Sequence, residues 1–337
     1  MFTRKICNFI TLYVASEFLI VAKGYKLYKY ILKSNKLEFF AVINDSKIAR
    51  LASFSLLRRL FRAEIRCLYR FNSDVWMCIG RKAIFKLDIK TKKFEKCYVI
   101  EKGTRPLNLC QANDGTIYFG EYCYNPDMDE IRIFQSKDNG TTWSVAYTFE
   151  KGAINHIHGI FQDPYTDKIW VATGDIDKAS ILGYTQDGFK TFISKYRGSQ
   201  QCRVCMPLFT KEKIFFATDS QYEQNYIRCI DRNSGENTII QPIQGSGIYG
   251  VQIGEKMLIS TTVEPSEVNK DQYAHVWYSI GGMYWEELAS YKKDCLPKTY
   301  FQFGSITFPQ YESDTGLIVW NGRAVECVDG KTIINEL

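Results

Sequence analysis

Turn-forming residues recur along the chain at a nearly constant interval, and this interval limits the folds that the chain can adopt. The spacings between successive hairpin-like turns are 56, 48, 49, 46, 48 and 48 residues, and the turns lie at Ser34, Lys90, Asp138, Asp187, Asn233, Gly281 and Asp329. About four short runs of alternating apolar and polar residues, typical of strands, fall in each interval. This period is typical of the blades of a β-propeller. The turns therefore predict an all-β, seven-bladed propeller formed as a single domain by residues 1–337, with six blades as the alternative.

One of these turns, with the sequence SKDNGTTW, carries a more specific pattern. The S-x-D-x-G-x-T-W positions are occupied by Ser136, Asp138, Gly140, Thr142 and Trp143. Partial copies follow at TQDGFKTF and SIGGMYW, where the first has its glycine, Gly188, one position early. The chain thus resembles the Asp-box (BNR-repeat) family of sialidase-like β-propellers. Because Asp boxes occur in propellers of unrelated activity, the resemblance implies the fold and a structural role for these five residues.

A second repeated element places a carboxylate after the same strand in four repeats. The segments NDGTIYFGE, TDKIWVATGD, KEKIFFATD and GEKMLISTTVE end on Glu121, Asp175, Asp219 and Glu264. In a propeller blade, the second strand ends on the face where the innermost strand begins. The polar residues near the beginnings of the predicted inner strands are Arg105, Asn108, His156, His158, Gln201, Arg203, Tyr249 and Gln302. We therefore expect both sets to converge on one rim of the central channel, with the Asp boxes on the opposite face.

The longer first interval contains an additional segment, NDSKIARLASFSLLRRLFRAE. Apolar residues at roughly helical spacing predict a helical insertion at about 44–64, between the first two blades, with Asn44, Asp45 or Ser46 as N-cap. The helix could cover an anionic ligand, lie solvated beside the ring, or contact a membrane surface. Its basic residues are Lys47, Arg50, Arg58, Arg59 and Arg62.

Composition and charge exclude some partners and indicate a compartment. The net charge of +6 is spread along the chain without a recognition motif, which argues against a nucleic-acid partner. Most of the eleven cysteines lie in apolar strand-like runs without metal-site spacing, and this also holds for the C-x-x-C at Cys202 and Cys205. They are typical of core residues in a reducing compartment. Glu17 interrupts the N-terminal apolar run, so we predict strands there, a cytoplasmic protein and no transmembrane segment; an exported protein with a signal peptide is the alternative.

The arginines of the predicted rim suit a carboxylate ligand. Arg105 and Arg203 could each bind one in bidentate fashion, which favours an acidic oligo- or polysaccharide containing a sialic or uronic acid. Resemblance to sialidases implies a cluster of three arginines, a tyrosine nucleophile beside a glutamate, and an aspartic acid as acid/base. The F-R-I-P motif of that family is absent, and no third arginine is assigned. The candidates for the other roles are Tyr122 or Tyr249 for the nucleophile, and Glu121, Asp175 or Glu264 for the carboxyl groups.

The sequence HIH offers two further chemistries. His156 and His158 are two residues apart on one predicted strand and so lie on the same face. One could act as the general base of a β-elimination, as in propeller-shaped polysaccharide lyases, with Arg203 holding the substrate carboxylate. The pair could also bind a divalent metal with Asp175 or Glu264, although no cofactor is required by the sequence. Hydrogen-bonded core histidines are the structural alternative.

Two classes of function therefore remain open from the sequence. The first is an enzyme on acidic glycans, either a sialidase-like glycoside hydrolase or a polysaccharide lyase. The second is a non-catalytic propeller that binds a glycan or a protein on the same rim. In either case the predicted substrate-binding residues beyond the two arginines are Asn108, Tyr122, Gln201, Asp219 and Gln302. The sequence has no phosphate-binding loop, dinucleotide fingerprint or G-x-S-x-G motif.

Overall fold

The computed structural model describes residues 2–6, 8–45, 49 and 51–336. The described residues are nearly all-β, and consecutive strands pair antiparallel in groups of four. Group one contains β2 (Ile10–Val14), β3 (Phe18–Lys23), β4 (Lys26–Ile31) and β5 (Lys36–Ile43). Group two contains β6 (Cys67–Arg70), β7 (Trp76–Gly80), β8 (Ala83–Asp88) and β9 (Lys93–Val99). Group three contains β10 (Cys110–Gln111), β11 (Ile117–Gly120), β12 (Ile131–Ser136) and β13 (Ser144–Phe149).

The second half of the chain continues the same pattern. Group four contains β14 (His156–Gln162), β15 (Ile169–Gly174), β16 (Ile181–Thr185) and β17 (Ile193–Arg197). Group five contains β18 (Val204–Phe209), β19 (Lys213–Thr218), β20 (Asn225–Asp231) and β21 (Asn237–Ile243). Group six contains β22 (Ser246–Ile253), β23 (Lys256–Val263), β24 (Tyr273–Ile280) and β25 (Glu286–Lys292). Group seven contains β26 (Gly304–Thr307), β28 (Leu317–Arg323), β29 (Thr332–Glu336) and β1 (Phe2–Ile6).

Apolar side chains pack each group against the next around a central channel. Met77 of group two, for example, lies in one cluster with Ile117 and Phe119 of group three. The inner strand of every group contributes to the wall of the channel, from Tyr13 on β2 to Thr307 on β26. Burial of these apolar faces supplies the main driving force for the fold. Each inner strand therefore begins at one mouth of the channel and ends at the other.

Group seven combines strands from both ends of the chain. β1 pairs antiparallel with β29 as the outermost strand of this group, and β27 (Gln310–Tyr311) pairs in parallel with β2 of group one. A buried polar network joins the same two groups: the Asn321 side chain accepts a hydrogen bond from the Thr11 amide at 2.8 Å and donates one to the Thr11 carbonyl at 2.9 Å. The Thr332 hydroxyl donates to Asn321 Oδ1 at 2.8 Å. These contacts connect the first and last groups and close the ring of groups.

The predicted turns lie where they were expected in six of the seven groups. Ser34, Lys90, Asp138, Asp187, Asn233 and Gly281 each fall between the third and outermost strands of a group. The seventh, Asp329, was wrongly equated with them. It lies between β28 and β29, the second and third strands of group seven, because β1 supplies the outermost strand there. The Asp329 turn therefore lies on the opposite face from the other six.

The Ser136–Trp143 turn is held by a compact set of hydrogen bonds. The Ser136 hydroxyl donates to Asp138 at 2.8 Å and accepts the Gly140 amide at 2.8 Å, while Asp138 also accepts from the amide and hydroxyl of Thr142. These donors hold the pKa of Asp138 well below its ordinary value. In the second copy, Gly188 and the residue after it both have positive φ, as do Asn139 and Gly140 in the first. Glycine can therefore occupy either position of this turn.

The insertion between groups one and two contains helix α1 (Ser55–Leu60). Ala49, Leu51 and Ala52 before it are also helical, and the Ala49 amide donates to the carbonyl of Asp45. Phe54 precedes α1 without a side-chain cap, the side chain of Asn44 donates to Glu95, and that of Asp45 pairs with Lys96. The N-cap at residues 44–46 stays a prediction. The predictions for Ser46, Lys47 and Arg50 fall outside the described residues. None of the described helices is long and apolar enough to cross a membrane.

Helix α1 is attached to the ring through a buried arginine. Arg59 pairs with Asp294 at 2.6 Å and with Asp329 at 3.3 Å, and it donates to the carbonyl of Phe301 in helix α2 (Lys298–Phe301). Buried ion pairs of this kind fix the position of the groups they join, whatever their net contribution to stability. The insertion is therefore held over the mouth of the channel on the side of groups six and seven.

The Asn321 network yields a test of the pairing between groups one and seven. Replacement Asn321→Ala removes the donor to the Thr11 carbonyl and leaves the Thr11 amide with the Thr332 hydroxyl as its acceptor, which should lower the free energy of unfolding by about 1–3 kcal/mol. Urea denaturation measures this change. Asn233→Ala, at an exposed turn, is the matched control and should change stability little. Equal midpoints for the two variants would contradict the role assigned to the network.

Candidate functional site at the channel mouth

A cavity of about 420 Å³ opens at the end of the channel where the inner strands begin. We call it the channel-mouth cavity. Second strands β15, β19 and β23 end directly before Asp175, Asp219 and Glu264, and all three carboxylates line it. The predicted site residues that line the cavity are Arg105, Tyr122, His158, Asp175, Arg203, Asp219, Tyr249, Glu264 and Gln302. The strand geometry inferred from the repeat thus brings together residues more than a hundred positions apart.

One side of the cavity combines carboxylates with a single buried arginine. Arg203 Nη2 lies 3.0 Å from Asp175 and 3.3 Å from Asp219. Burial opposes the charge of Arg203, but the two carboxylates outweigh this effect and raise its pKa. Arg203 is therefore committed to protein carboxylates, and its predicted role in holding a substrate carboxylate does not follow from this geometry.

The two histidines lie beside Asp175 and contact each other. His156 Nδ1 is 3.0 Å from the carbonyl of Cys123, and His158 Nδ1 is 2.9 Å from the carbonyl of Val204. The two Nε2 atoms are 3.1 Å apart, and they lie 3.4 and 3.7 Å from Asp175 Oδ1. Both rings are almost fully buried, and burial lowers the pKa of His158.

A buried thiol adjoins this cluster. Cys205 Sγ lies 3.3 Å from Asp219 Oδ2 and 3.4 Å from His158 Nδ1. Burial first, and then the charge of Asp219, raise the pKa of Cys205, so the thiol stays protonated and donates to the carboxylate. Its partner in the C-x-x-C sequence, Cys202, is in a separate 3-10 turn, and the described cysteines form no disulfide.

Glu264 occupies a distinct electrostatic position. Burial, followed by repulsion from Asp219, raises its pKa to about 7, while the charge of Arg203 opposes the shift. Its side chain accepts a hydrogen bond from Gln221 at 2.7 Å. A carboxyl group that titrates near neutral pH is suited to general acid/base catalysis.

The other side of the cavity is basic and contains residues that the sequence reasoning missed. Glu64 pairs with Arg323 at 3.2 Å and with Arg105 at 3.8 Å, and Arg66 lies over the ring of Tyr249 at 5.5 Å. Burial, reinforced by repulsion from Arg66, lowers the pKa of Arg105 to about 10.

The repeat itself could have identified one of these residues. Arg66 directly precedes the inner strand β6, as Arg203 directly precedes β18, so extension of this register to group two would have predicted Arg66. Arg323 is the last residue of β28, one position before the place that Asp175, Asp219 and Glu264 take in their groups, so the register does not predict it. Glu64 lies in the insertion outside the repeat, and no sequence signal marks it.

Some predicted site residues have their side chains engaged elsewhere. Glu121 follows β11 as expected, but its carboxylate accepts from the side chain of Arg132 at 2.8 Å and from its amide, away from the cavity. Asn108 bonds both backbone groups of Ile160 in the neighbouring inner strand. Gln201 is held between Glu223 and Arg228. These three side chains serve local structure, whereas Tyr122 faces the cavity with its ring 4.4 Å from that of His156.

A second cavity, of about 970 Å³, opens at the opposite end of the channel. It is lined by inner-strand ends such as Gln252, and Arg70 and Glu312 pair with each other at its edge. The two cavities meet inside the channel, where their linings share Arg66, Leu107, His158, Cys205, Ile248, Tyr249 and Arg323. The larger cavity thus lies at the end away from the insertion, while the ionisable clusters lie at the insertion end.

Comparison with known proteins identifies the class of fold. No protein-family model matches the chain, and no curated protein gives a significant match. The structure of oligogalacturonate lyase in complex with manganese is similar with a TM-score of 0.57 and 9% identity, over 99% of this chain and 91% of the other. A GH74 xyloglucanase from Xanthomonas campestris has a TM-score of 0.57 and 13% identity, over 96% of this chain and 52% of the other.

A chain from a multi-component complex is similar to the same degree. A chain in the crystal structure of the mitotic checkpoint complex has a TM-score of 0.58 and 8% identity, over 99% of this chain and 93% of the other. At such identities the likeness shows the fold alone. The chain is therefore a β-propeller, and its function has to be inferred from the site.

The raised pKa of Glu264 yields a prediction for stability against pH. Since the folded pKa is about 7 and the ordinary value is 4.5, the native state binds more protons between these values, and stability falls as pH rises through this window. Glu264→Gln removes the ionisation, so its free energy of unfolding should exceed that of the wild type above pH 7 by on the order of 1–3 kcal/mol, with no such gain below pH 4.

Urea denaturation at several pH values, in the presence of a chelator, measures the difference. Glu267→Gln is the matched control, because Glu267 is exposed in the same loop. A constant offset between Glu264→Gln and the wild type across the whole pH range would refute the assignment.

Proposed function

We propose that the chain is a seven-bladed propeller of the Asp-box type that binds an acidic saccharide in the channel-mouth cavity and processes it there. Its seven groups of strands are taken as the seven blades. The observation that carries the functional proposal is an excess of cations on one side of the cavity. Four arginines line this side of the cavity, namely Arg62, Arg66, Arg105 and Arg323. Among the described residues, the only carboxylate that forms a salt bridge with any of them is Glu64, which pairs with Arg105 and Arg323.

This excess favours a ligand that carries a carboxylate. Guanidinium groups bind carboxylates through paired hydrogen bonds, and the interaction is stronger where water is excluded. Arg66 and Arg105 both line the cavity, and neither has a carboxylate closer than the 3.8 Å separating Arg105 from Glu64. Arg105 Nη1 is buried with no hydrogen-bond partner among the described residues, which adds to the positive potential. A neutral sugar would leave this charge uncompensated.

The arrangement favours a hydrolase over a lyase. Arg105 and Arg323 both pair with Glu64, and Arg66 lies over the ring of Tyr249, so three arginines and a tyrosine line this part of the cavity. A cluster of three arginines and a tyrosine are two of the elements that the sialidase resemblance implies. Glu264, with a pKa near 7, is available as the proton donor and acceptor. In the lyase alternative a histidine would be the base, yet both histidines lie beside Asp175, on the other side of the cavity from the arginines proposed to hold the substrate carboxylate.

Substrate and linkage are to be found by a paired screen. The full chain is tested on sialosides and on uronic-acid oligosaccharides, each beside its methyl ester, in which the carboxylate charge is removed. Hydrolysis is detected by release of a fluorescent aglycone, β-elimination by absorbance near 235 nm, and binding by calorimetry. We also propose a cytoplasmic location, because all the described cysteines are free thiols, and the screen is therefore run under reducing conditions.

A matched pair of arginine variants tests the binding role. Arg66→Gln should weaken binding of the acidic saccharide by about 10- to 100-fold, the cost of losing a charge-assisted contact. Arg70→Gln is the control. Arg70 is the last residue of β6, the strand that Arg66 directly precedes, and it pairs with Glu312 at the other mouth of the channel. Equal binding of acid and methyl ester, or an equal loss in both variants, would refute the proposal. Binding without turnover would leave the propeller as a binding module.

A further inference from the structure

The hydrogen bonds of His156 and His158 fix which nitrogen of each ring carries a proton. Each Nδ1 faces a backbone carbonyl, Cys123 for the first ring and Val204 for the second. A carbonyl oxygen only accepts, so each Nδ1 must be the N–H donor. In the neutral rings, each Nε2 therefore presents a lone pair.

These lone pairs converge on one point together with a carboxylate oxygen. The two Nε2 atoms are 3.1 Å apart, and Asp175 Oδ1 lies 3.4 Å from one and 3.7 Å from the other. Three acceptors at such distances repel one another unless a positive group lies between them. Two ligands that are each about 2.1 Å from a tetrahedral metal ion are about 3.4 Å apart, so the three separations match those of neighbouring metal ligands.

The charge around the three atoms also favours a cation. Arg203 is the one cation paired with both Asp175 and Asp219, so these three residues together carry an excess negative charge beside the two histidines. Asp219 Oδ1 is buried and has no hydrogen-bond partner among the described residues. The side chain of Asp175 is 43% exposed, so the point of convergence is reached from the channel-mouth cavity.

We propose that His156 Nε2, His158 Nε2 and Asp175 Oδ1 form a binding site for one divalent transition-metal ion, with Zn²⁺ or Mn²⁺ as the ions best suited to imidazole and carboxylate ligands. Three protein ligands leave a coordination position open toward the cavity. The carbonyl bonds at the two Nδ1 atoms would orient the rings, as outer-shell partners do in metal sites. The site does not depend on the saccharide proposed above.

Titration of the tag-free full chain after treatment with EDTA tests the site. Calorimetry with Zn²⁺ and with Mn²⁺ should show one ion bound per chain, and Co²⁺ should give visible absorption bands of a low-coordinate site. His156→Ala and Asp175→Asn should each weaken binding by about 100-fold or more, beyond the effect of an outer-shell change. Thermal unfolding in EDTA verifies that each variant is folded.

The chain offers two informative control variants. His275→Ala removes the third histidine, which pairs with Asp271 and Glu287 in another part of the ring, and binding should be unchanged. Cys205→Ser should also leave binding unchanged, because the thiol belongs to a different potential set with His158 and Asp219. Absence of binding to the wild type, which would point to a proton shared by the two rings, overturns the proposal. Loss of binding in Cys205→Ser with retention in His156→Ala overturns it as well.

Discussion

The pairing of the first and last groups of strands is the constraint on which the candidate site depends. β1 pairs with β29 and so joins the N-terminal strand to the last group, while Thr11, Asn321 and Thr332 link groups one and seven internally. Arg66 comes from group two and Arg323 from group seven, so they flank the same cavity because the ring is closed. The chemistry at the channel mouth is thus a consequence of the closure.

The repeat gives the molecule two faces with different roles. On one face, the turns between third and outermost strands are held by local hydrogen bonds, as at Asp138 with Thr142. On the other face, charged residues lie near the ends of several second strands and the beginnings of several inner strands, so groups two to seven each add ionisable side chains to one cavity. The insertion completes this face, because Glu64 balances part of the arginine charge and Arg59 fastens α1 to the ring. A separation of this kind lets the site vary while the turns keep the groups intact.

The sequence was informative wherever the repeat was regular. Strand alternation and the turn period predicted the all-β fold, and the position after the second strand predicted that Asp175, Asp219 and Glu264 would meet. The same rule placed Glu121 in the cavity, but it could not reveal that the next strand supplies Arg132 as a closer partner. Asp329 was assigned to the wrong connection because pairing between β1 and β29 is non-local and leaves no periodic signal. The position of Glu64 in the cavity and the choice of partners for Arg59 follow from the tertiary contacts of the insertion, which the sequence pattern does not reveal.

The two sides of the cavity differ in chemistry. The arginine side carries an excess of positive charge, while the opposite side holds groups that can transfer a proton or coordinate a metal. We propose that this cavity, rather than the larger one at the other end of the channel, receives an acidic saccharide. The most direct test is a crystal structure with a bound uronic- or sialic-acid oligosaccharide. The account predicts its carboxylate beside Arg66 and Arg105; a saccharide seated instead at the opposite mouth, near Arg70 and Glu312, would contradict it.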